Sequence, residues 1–134
     1  MITYREFDVS EMADVIMIYE NVGWVAYLQE QDKLFSTFEN SLYLLGAFDD
    51  GQMVGFVRVV GDGEHVVLVQ DLIITPEYQN LGIGSCLFEK VMDKYQAVRM
   101  FMVVTDLESK RNNAFYRKFG MKKLEQYAMI GYVR

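Results

Sequence analysis

Cysteine occurs once, at Cys86, so no disulfide can close within the chain and nothing points to an oxidising compartment. Histidine also occurs once, at His65, and without a Cys/His cluster no metal is expected. No apolar run approaches the roughly 18–20 residues that a membrane helix needs, and no leader-like segment precedes the first strand-like stretch. The expected setting is therefore cytoplasmic, with no membrane partner.

A basic stripe is missing too. The formal net charge is −6, which argues against a nucleic-acid partner, because neutralising phosphates needs clustered Lys and Arg. An acidic surface instead attracts cations. Basic residues gather only late, at Lys110, Arg111, Arg117, Lys118, Lys122 and Lys123. They read either as a solvated helix face and turn or as a soft attraction for phosphates. What is present is ordinary for one globule: 134 residues, 51% apolar and 24% charged, enough for a single domain over residues 1–134 with its own core.

Periodicity places the elements. Met1–Phe7 reads as a strand, and Ser10 as the N-cap of a helix with Met12, Val15, Ile16 and Tyr19 on one face. A poorer helix is expected within Tyr27–Phe38. Ser41–Phe48 and Gln52–Val60 form a hairpin about Asp49-Asp50-Gly51, and Gly61-Asp62-Gly63 turns into a third strand. Val66–Ile74 is apolar apart from Gln70 and Asp71, the pattern of a strand buried on both faces, and Thr75-Pro76 ends it. A helix from Gly82 carries Ile83, Leu87, Val91 and Tyr95 inward, and Val98–Val104 is another buried strand. That strand–helix–strand unit implies a parallel pair. Arg111–Phe119 is a short helix ended by Gly120, and Lys122–Gln126 and Ala128–Val133 read as closing strands. The fold class is α/β: a mixed, mostly antiparallel sheet with helices on both sides.

Chemistry is concentrated in Gln79-Asn80-Leu81-Gly82-Ile83-Gly84-Ser85, between the third strand and the helix. Two glycines let a ligand approach the backbone, and N–H groups at a helix start bind anions such as a pyrophosphate. A dinucleotide fingerprint needs a third glycine where Leu87 stands, and no Gly-Lys-Ser/Thr run exists for a Walker loop. Taken alone, the loop is equally a tight turn with no ligand.

It does not stand alone. Gln79–Gly84 resembles motif A of the GNAT N-acetyltransferases, Gln/Arg-x-x-Gly-x-Gly/Ala, and Asp71–Tyr78 resembles the strand and Pro-Glu-Tyr lead-in before it. Asn112–Met121 is similar to the family's Ala-x-x-Phe-Tyr-x-x-x-Gly-Phe signature, slightly altered. The order of elements agrees over nearly the whole chain. Val22-Gly23-Trp24 and Val59–Gly63 look most like a small-amine subgroup that includes plant plastid acetyltransferases of aromatic amines.

The resemblance implies acetyl-CoA as donor and an acceptor amine, joined by direct attack in a ternary complex. Two parallel strands would splay around the pantetheine arm, with backbone groups of Leu72, Ile73 and Ile74 pairing to it. N–H groups from Asn80, Leu81, Gly82, Ile83, Gly84 and Ser85 would hold the pyrophosphate. Gln79 stands at the motif's first polar position, and Asn113 and Phe115 would flank the arm. Tyr116 matches the tyrosine that protonates the leaving thiolate, though it also reads as a core aromatic. Asp71, a carboxylate in an apolar strand, is the chosen base, unless it ties down a loop while an ordered water chain takes the proton. Asp106 is the lesser candidate; the glutamate that some relatives use falls at Leu68 here.

Trp24 and Tyr27 are expected as pocket walls or as plain core aromatics, and Arg58 as a partner within the sheet or a group facing the substrate. His65 is expected to face solvent and Cys86 to fill space. A small primary amine is the expected acceptor. A protein or peptide acceptor, or a non-catalytic acyl-CoA sensor, are the alternatives, and the apolar run Met129–Val133 would pair across a homodimer.

Overall fold

In the computed structural model, which describes residues 1–134, five strands form one sheet in chain order: β1 (Ile2–Glu6), β2 (Tyr43–Asp49), β3 (Gln52–Gly61), β4 (Val66–Ile74) and β5 (Met100–Val103). Pairing is antiparallel from β1 to β4 and parallel between β4 and β5. The helices are α1 (Met12–Val22), α2 (Gln31–Glu39), α3 (Ile83–Lys94) and α4 (Lys110–Lys118). Contacts divide the chain into two compact units, Met1–Val103 and Val104–Arg134. The sheet and α1–α3 make up the first, α4 and a 3-10 turn the second. No helix is long and apolar enough to cross a membrane.

Local chemistry explains most boundaries. At the β2–β3 hairpin, Asp50 and Gly51 both take positive φ, 49° and 84°, as a two-residue turn of matching twist requires. A 3-10 turn precedes the expected helix, and α1 itself begins only at Met12. Asp8, rather than Ser10, is the cap: its Oδ1 accepts from the Ser10 backbone N at 2.9 Å and from Ser10 Oγ at 2.6 Å. That opens a 3-10 turn over Val9–Glu11 which runs into α1. The buried face of α1 is Met12, Val15, Ile18 and Tyr19, so Ile18 replaces Ile16 on the inner stripe.

One side of the sheet packs on α1 and α2, through Phe7, Tyr19, Phe38, Phe48, Phe56 and Ile73. The Phe7, Tyr19 and Phe38 rings meet Phe56 edge-on or tilted, with centroids 5.7–5.9 Å apart. α3 packs against β2, β3 and β4 with Ile83, Leu87, Phe88 and Val91 buried, and by strand alternation it covers the side that carries Val57 and Val59.

Three expectations fail here. β4 is not buried throughout: Val67 and Val69 are buried before Gln70, Asp71 and Ile73 after it, while Gln70 is exposed and Val66, Leu68, Leu72 and Ile74 are half-buried, so only one face is fully buried at a time. The reason is an interruption of the strand, described below. β5 is shorter than Val98–Val104 and only half-buried, because it is the edge strand of the sheet. The two closing strands do not form. Leu124–Tyr127 is a 3-10 turn, Ala128 follows in the left-handed region at φ 59°, and the Met129 N–H bonds back to the Leu124 carbonyl at 3.0 Å. Local bonds thus replace a ladder over Leu124–Met129.

Candidate active site

The feature that organises β4 is a bulge. Arg58 of β3 pairs with Asp71, but the next residue, Val59, pairs with Val69. β4 therefore carries one extra residue, Gln70, and alternation restarts there. Val69 shares the α3 side with Val59, while Asp71 shares the α1 side with Arg58. Parallel pairing to β5 covers only Val66–Val69, so beyond the bulge no strand of the sheet lies along β4's second edge.

Which groups face that open edge follows from the ladder. The Thr75 N–H donates to Val54 of β3 at 2.9 Å. Alternation then turns the amide and carbonyl of Ile73 toward β3 and those of Leu72 and Ile74 toward the open edge. Gln79 confirms the direction, since its Nε2 donates to the Ile74 carbonyl at 2.9 Å. The Gln79 side chain thereby braces the turn between β4 and α3. Of the three expected pantetheine contacts, Leu72 and Ile74 present backbone groups outward and Ile73 does not.

Asn80 and Gly82 both take positive φ, 64° and 83°, which folds the loop back so that α3 starts at Ile83. Gly82 occupies the N-cap position with no side-chain cap, and the first turn of α3 contains no acidic residue. A Cβ built on Gly82 would meet nothing within 4 Å. The Ile83 and Gly84 amides thus stand at a positive helix end, and Gly82 places no side chain over them. An anion fits this arrangement, and the expected pyrophosphate is one.

Asp71 lies at the centre of a buried network. Its Oδ2 accepts from Arg58 Nε at 2.6 Å and from Tyr19 Oη at 3.0 Å. The Arg58 and Asp71 side chains are 6% and 0% exposed, and Asp71 Oδ1 has no donor from the chain. Arg58 Nη1 reaches Ser41 Oγ at 3.3 Å, and its guanidinium lies 5.5 Å from the Phe38 ring centre. Of its two expected roles, Arg58 takes the partnership within the sheet. Burial, reinforced by the Asp71 carboxylate, holds the Tyr19 phenol far above its usual range.

Trp24 and Tyr27 join the same cluster. Tyr19 stacks on Tyr27 at 5.0 Å and on Trp24 at 6.2 Å, and Trp24 remains 43% exposed. The sequence pattern places Tyr19 only on a helix stripe. The usable signal was a hydroxyl on an inward helix position, since a buried Tyr O–H seeks an acceptor, and Asp71 was the unpaired acceptor in the apolar strand.

In the second unit, Ser109 caps α4 through the Asn112 N–H at 3.2 Å. Asn113 Nδ2 donates to the carbonyls of Ser109 at 2.7 Å and Asp106 at 3.0 Å, so this amide ties the preceding loop to the helix. Phe115 packs edge-on to Tyr116, centroids 5.1 Å apart. Burial pushes the Tyr116 phenol above its usual value, which keeps it protonated near neutral pH. Asp106 Oδ1 accepts from the Glu108 N–H at 2.9 Å, a turn-holding role. His65 is exposed and Cys86 half-buried. No cluster of His, Cys, Asp or Glu suited to a metal ion is present. A cleft of about 350 Å³ opens beside β1 and β2, lined by Glu6, Asp8, Phe38, Glu39 and Ser41 among others, and none of the expected site residues lines it.

A bulged strand with an open edge, leading through a left-handed glycine to an uncapped helix, is an arrangement that an anionic, extended ligand fits. The sequence model of the acetyltransferase (GNAT) family matches residues 9–121, and the chain belongs to that family. A solved GNAT-family acetyltransferase from Streptococcus pneumoniae TIGR4 is 34% identical, with a TM-score of 0.87 over 100% of this chain and 97% of that one. The uncharacterized N-acetyltransferase ycf52 of Porphyra purpurea is 25% identical over 134 residues, 89% of this chain and 76% of its own length. The aminoglycoside N-acetyltransferase AAC(6′)-Iy, solved with the bisubstrate analog CoA-S-monomethyl-acetylneamine, shares the fold at 15% identity, with a TM-score of 0.77 over 100% of this chain and 98% of that one. The expected fold and the expected enzyme class, acetyl-CoA-dependent N-acetylation, both stand.

Proposed function

We propose that the chain is one catalytic domain that moves the acetyl group of acetyl-CoA to a small primary amine, by direct attack in a ternary complex in the cytoplasm. The observation that carries the donor half is the uncapped start of α3 beside the open edge of β4. The N–H groups at Ile83 and Gly84 suit the pyrophosphate, and the outward backbone groups of Leu72 and Ile74 suit the amides of the pantetheine arm. The bisubstrate complex of the aminoglycoside enzyme supports a small-molecule acceptor.

Acetyl-CoA supplies an activated acyl group as a thioester. An alkyl ammonium, with a pKa of about 10, must first lose a proton. Asp71 takes that proton, and the nitrogen attacks the carbonyl carbon while an outward N–H of β4 steadies the negative charge gathering on oxygen. The C–S bond breaks, Tyr116 protonates the leaving thiolate, and the amide nitrogen returns a proton to the phenolate. One proton is released per turnover. Exposed Trp24 and its neighbour Tyr27 offer faces that suit a cation or a planar amine.

An acetyl-CoA consumption screen with polyamines, aromatic amines, amino acids and N-terminal peptides tests the reading. Turnover of a small amine is the expected result. Turnover confined to peptides would move the acceptor to proteins, and CoA binding with no acetylation anywhere in the panel would make the chain a sensor.

A further inference from the structure

We infer that Tyr19 and Arg58 are positioning residues that aim one oxygen of Asp71, Oδ1, at the amine acceptor; the inference rests on the reading of Asp71 as the base. The carboxylate is fully shielded, yet its two oxygens are treated differently. Oδ2 takes two donors from two elements, Arg58 Nε of β3 and Tyr19 Oη of α1. Oδ1 is buried and takes none from the chain. Buried polar atoms are almost always paired, so a carboxylate pinned through one oxygen with the other left unpaired is a socket for an outside N–H or O–H.

A plain structural ion pair would not need this asymmetry. Arg and carboxylate prefer a two-pronged contact, but here Arg58 gives Nε to Asp71 and Nη1 to Ser41. The second prong is spent elsewhere, and Tyr19 shares the occupied oxygen instead. Both holders are themselves held. Tyr19 sits between the edges of Phe38 and Phe56 and the faces of Tyr27 and Trp24, and Arg58 lies over the Phe38 ring. The bulge at Gln70 is what turns Asp71 to this side. The titratable groups around the carboxylate are Arg58 from β3, Tyr19 from α1 and, behind Tyr19, Tyr27 from the turn before α2. In the transfer step, Oδ1 accepts the hydrogen bond and then the proton of the ammonium, directly or through one water. The freed nitrogen pair forms the C–N bond as C–S breaks.

Tyr19→Phe is the decisive variant, because it keeps the ring stack and removes only the hydroxyl. With acetyl-CoA and 2-phenylethylamine as the probe acceptor, kcat is expected to fall about 10-fold, a fraction of what a general base contributes, with the acceptor KM within about two-fold. The acid limb of the kcat profile should move, since the hydrogen bond from Tyr19 Oη to Oδ2 is gone. Arg58→Lys, which keeps the charge but not the fixed geometry of Nε, should shift the same limb. An unchanged profile in Tyr19→Phe, beside an Asp71→Asn variant that loses turnover, overturns the positioning role and leaves the base reading intact. A wild-type profile in Asp71→Asn overturns both. A crystal structure of the wild type with CoA and 2-phenylethylamine decides the matter even without turnover. An amine nitrogen or water within about 3.2 Å of Oδ1 is expected, and an Oδ1 enclosed by apolar atoms alone overturns the inference.

Discussion

The two units differ in what holds them. Every buried hydrophobic side chain, from Phe7 to Tyr95, lies in Met1–Val103. In Val104–Arg134 no residue is fully buried, and order comes from a capped helix, a braced loop, a 3-10 turn and the half-buried rings of Phe115, Tyr116 and Phe119. A chain of this size that concentrates its burial can leave its last segment lightly secured. Substitutions should therefore separate by unit: large losses of stability are expected in the first, and little effect on folding in the second.

The largest effect expected from that contrast is at Phe56, which is 0% exposed and touches the rings of Phe7, Tyr19 and Phe38. Phe56→Ala should cost about 3–5 kcal/mol, from lost burial and the cavity left behind. Denaturant midpoints with an unchanged m-value would read it. The counterpart in the second unit is Leu107→Ala, at a residue 81% exposed, which should stay within about 0.5 kcal/mol of the parent. Equal losses from the two substitutions would break the contrast.

Next comes Tyr116→Phe. If the phenol is the acid, kcat should drop about 10²-fold, while affinity for CoA and the melting temperature stay near those of the parent. A melting temperature that falls together with the rate would turn Tyr116 into a packing residue and blur the division between the units. Gly82→Ala should have a smaller effect. A methyl group there meets open space, so the cost is backbone strain alone at φ 83°, about 1–2 kcal/mol. If that strain is carried by the ligand-binding form, CoA should bind about 10-fold more weakly by calorimetric titration. Undiminished affinity would separate the helix start from the cofactor.

How legible all this was in the sequence also divides by unit. The hairpin turns at Asp50-Gly51 and Gly61–Gly63, the α3 stripe and the parallel pair around it were readable, because periodicity and turn chemistry decide them locally. The bulge at Gln70 was not: it is a mismatch in length between two strands and has no local signature. With it went the facing of β4, whose buried side chains change sides of the sheet at the bulge. The closing strands were misread because an apolar run such as Ala128–Val133 cannot reveal whether a sheet edge exists to receive it, and Ala128 in a left-handed conformation is atypical for that residue. The glycine loop stands out from its residues and the resemblance together, and Asp71 from its polarity among apolar neighbours. Its link to Tyr19, 52 positions away in the chain, is a contact only the fold can make.

The smallest expected effect lies at the rim of the first unit, where a turn is held as the second unit is held, by hydrogen bonds and not by burial. Asp62 Oδ1 accepts from the backbone N–H groups of Val66, Glu64 and His65 at 3.0, 2.8 and 2.8 Å, and these donors hold its carboxyl down at about 2. The unfolded chain titrates it near the ordinary value of about 3.9. Because the folded form is the lower of the two, the charged turn contributes stability in full above about pH 4 and loses it as the pH falls toward about 2. Asp62→Asn removes that titration, so its melting temperature should fall less steeply than the parent's through this acid window and lie below the parent's at neutral pH. Added salt should narrow the gap, since the carboxylate is solvent-facing. Parallel acid limbs in the two proteins would mean that the turn persists without the charge, and that the β3–β4 connection is fixed by the strands it joins.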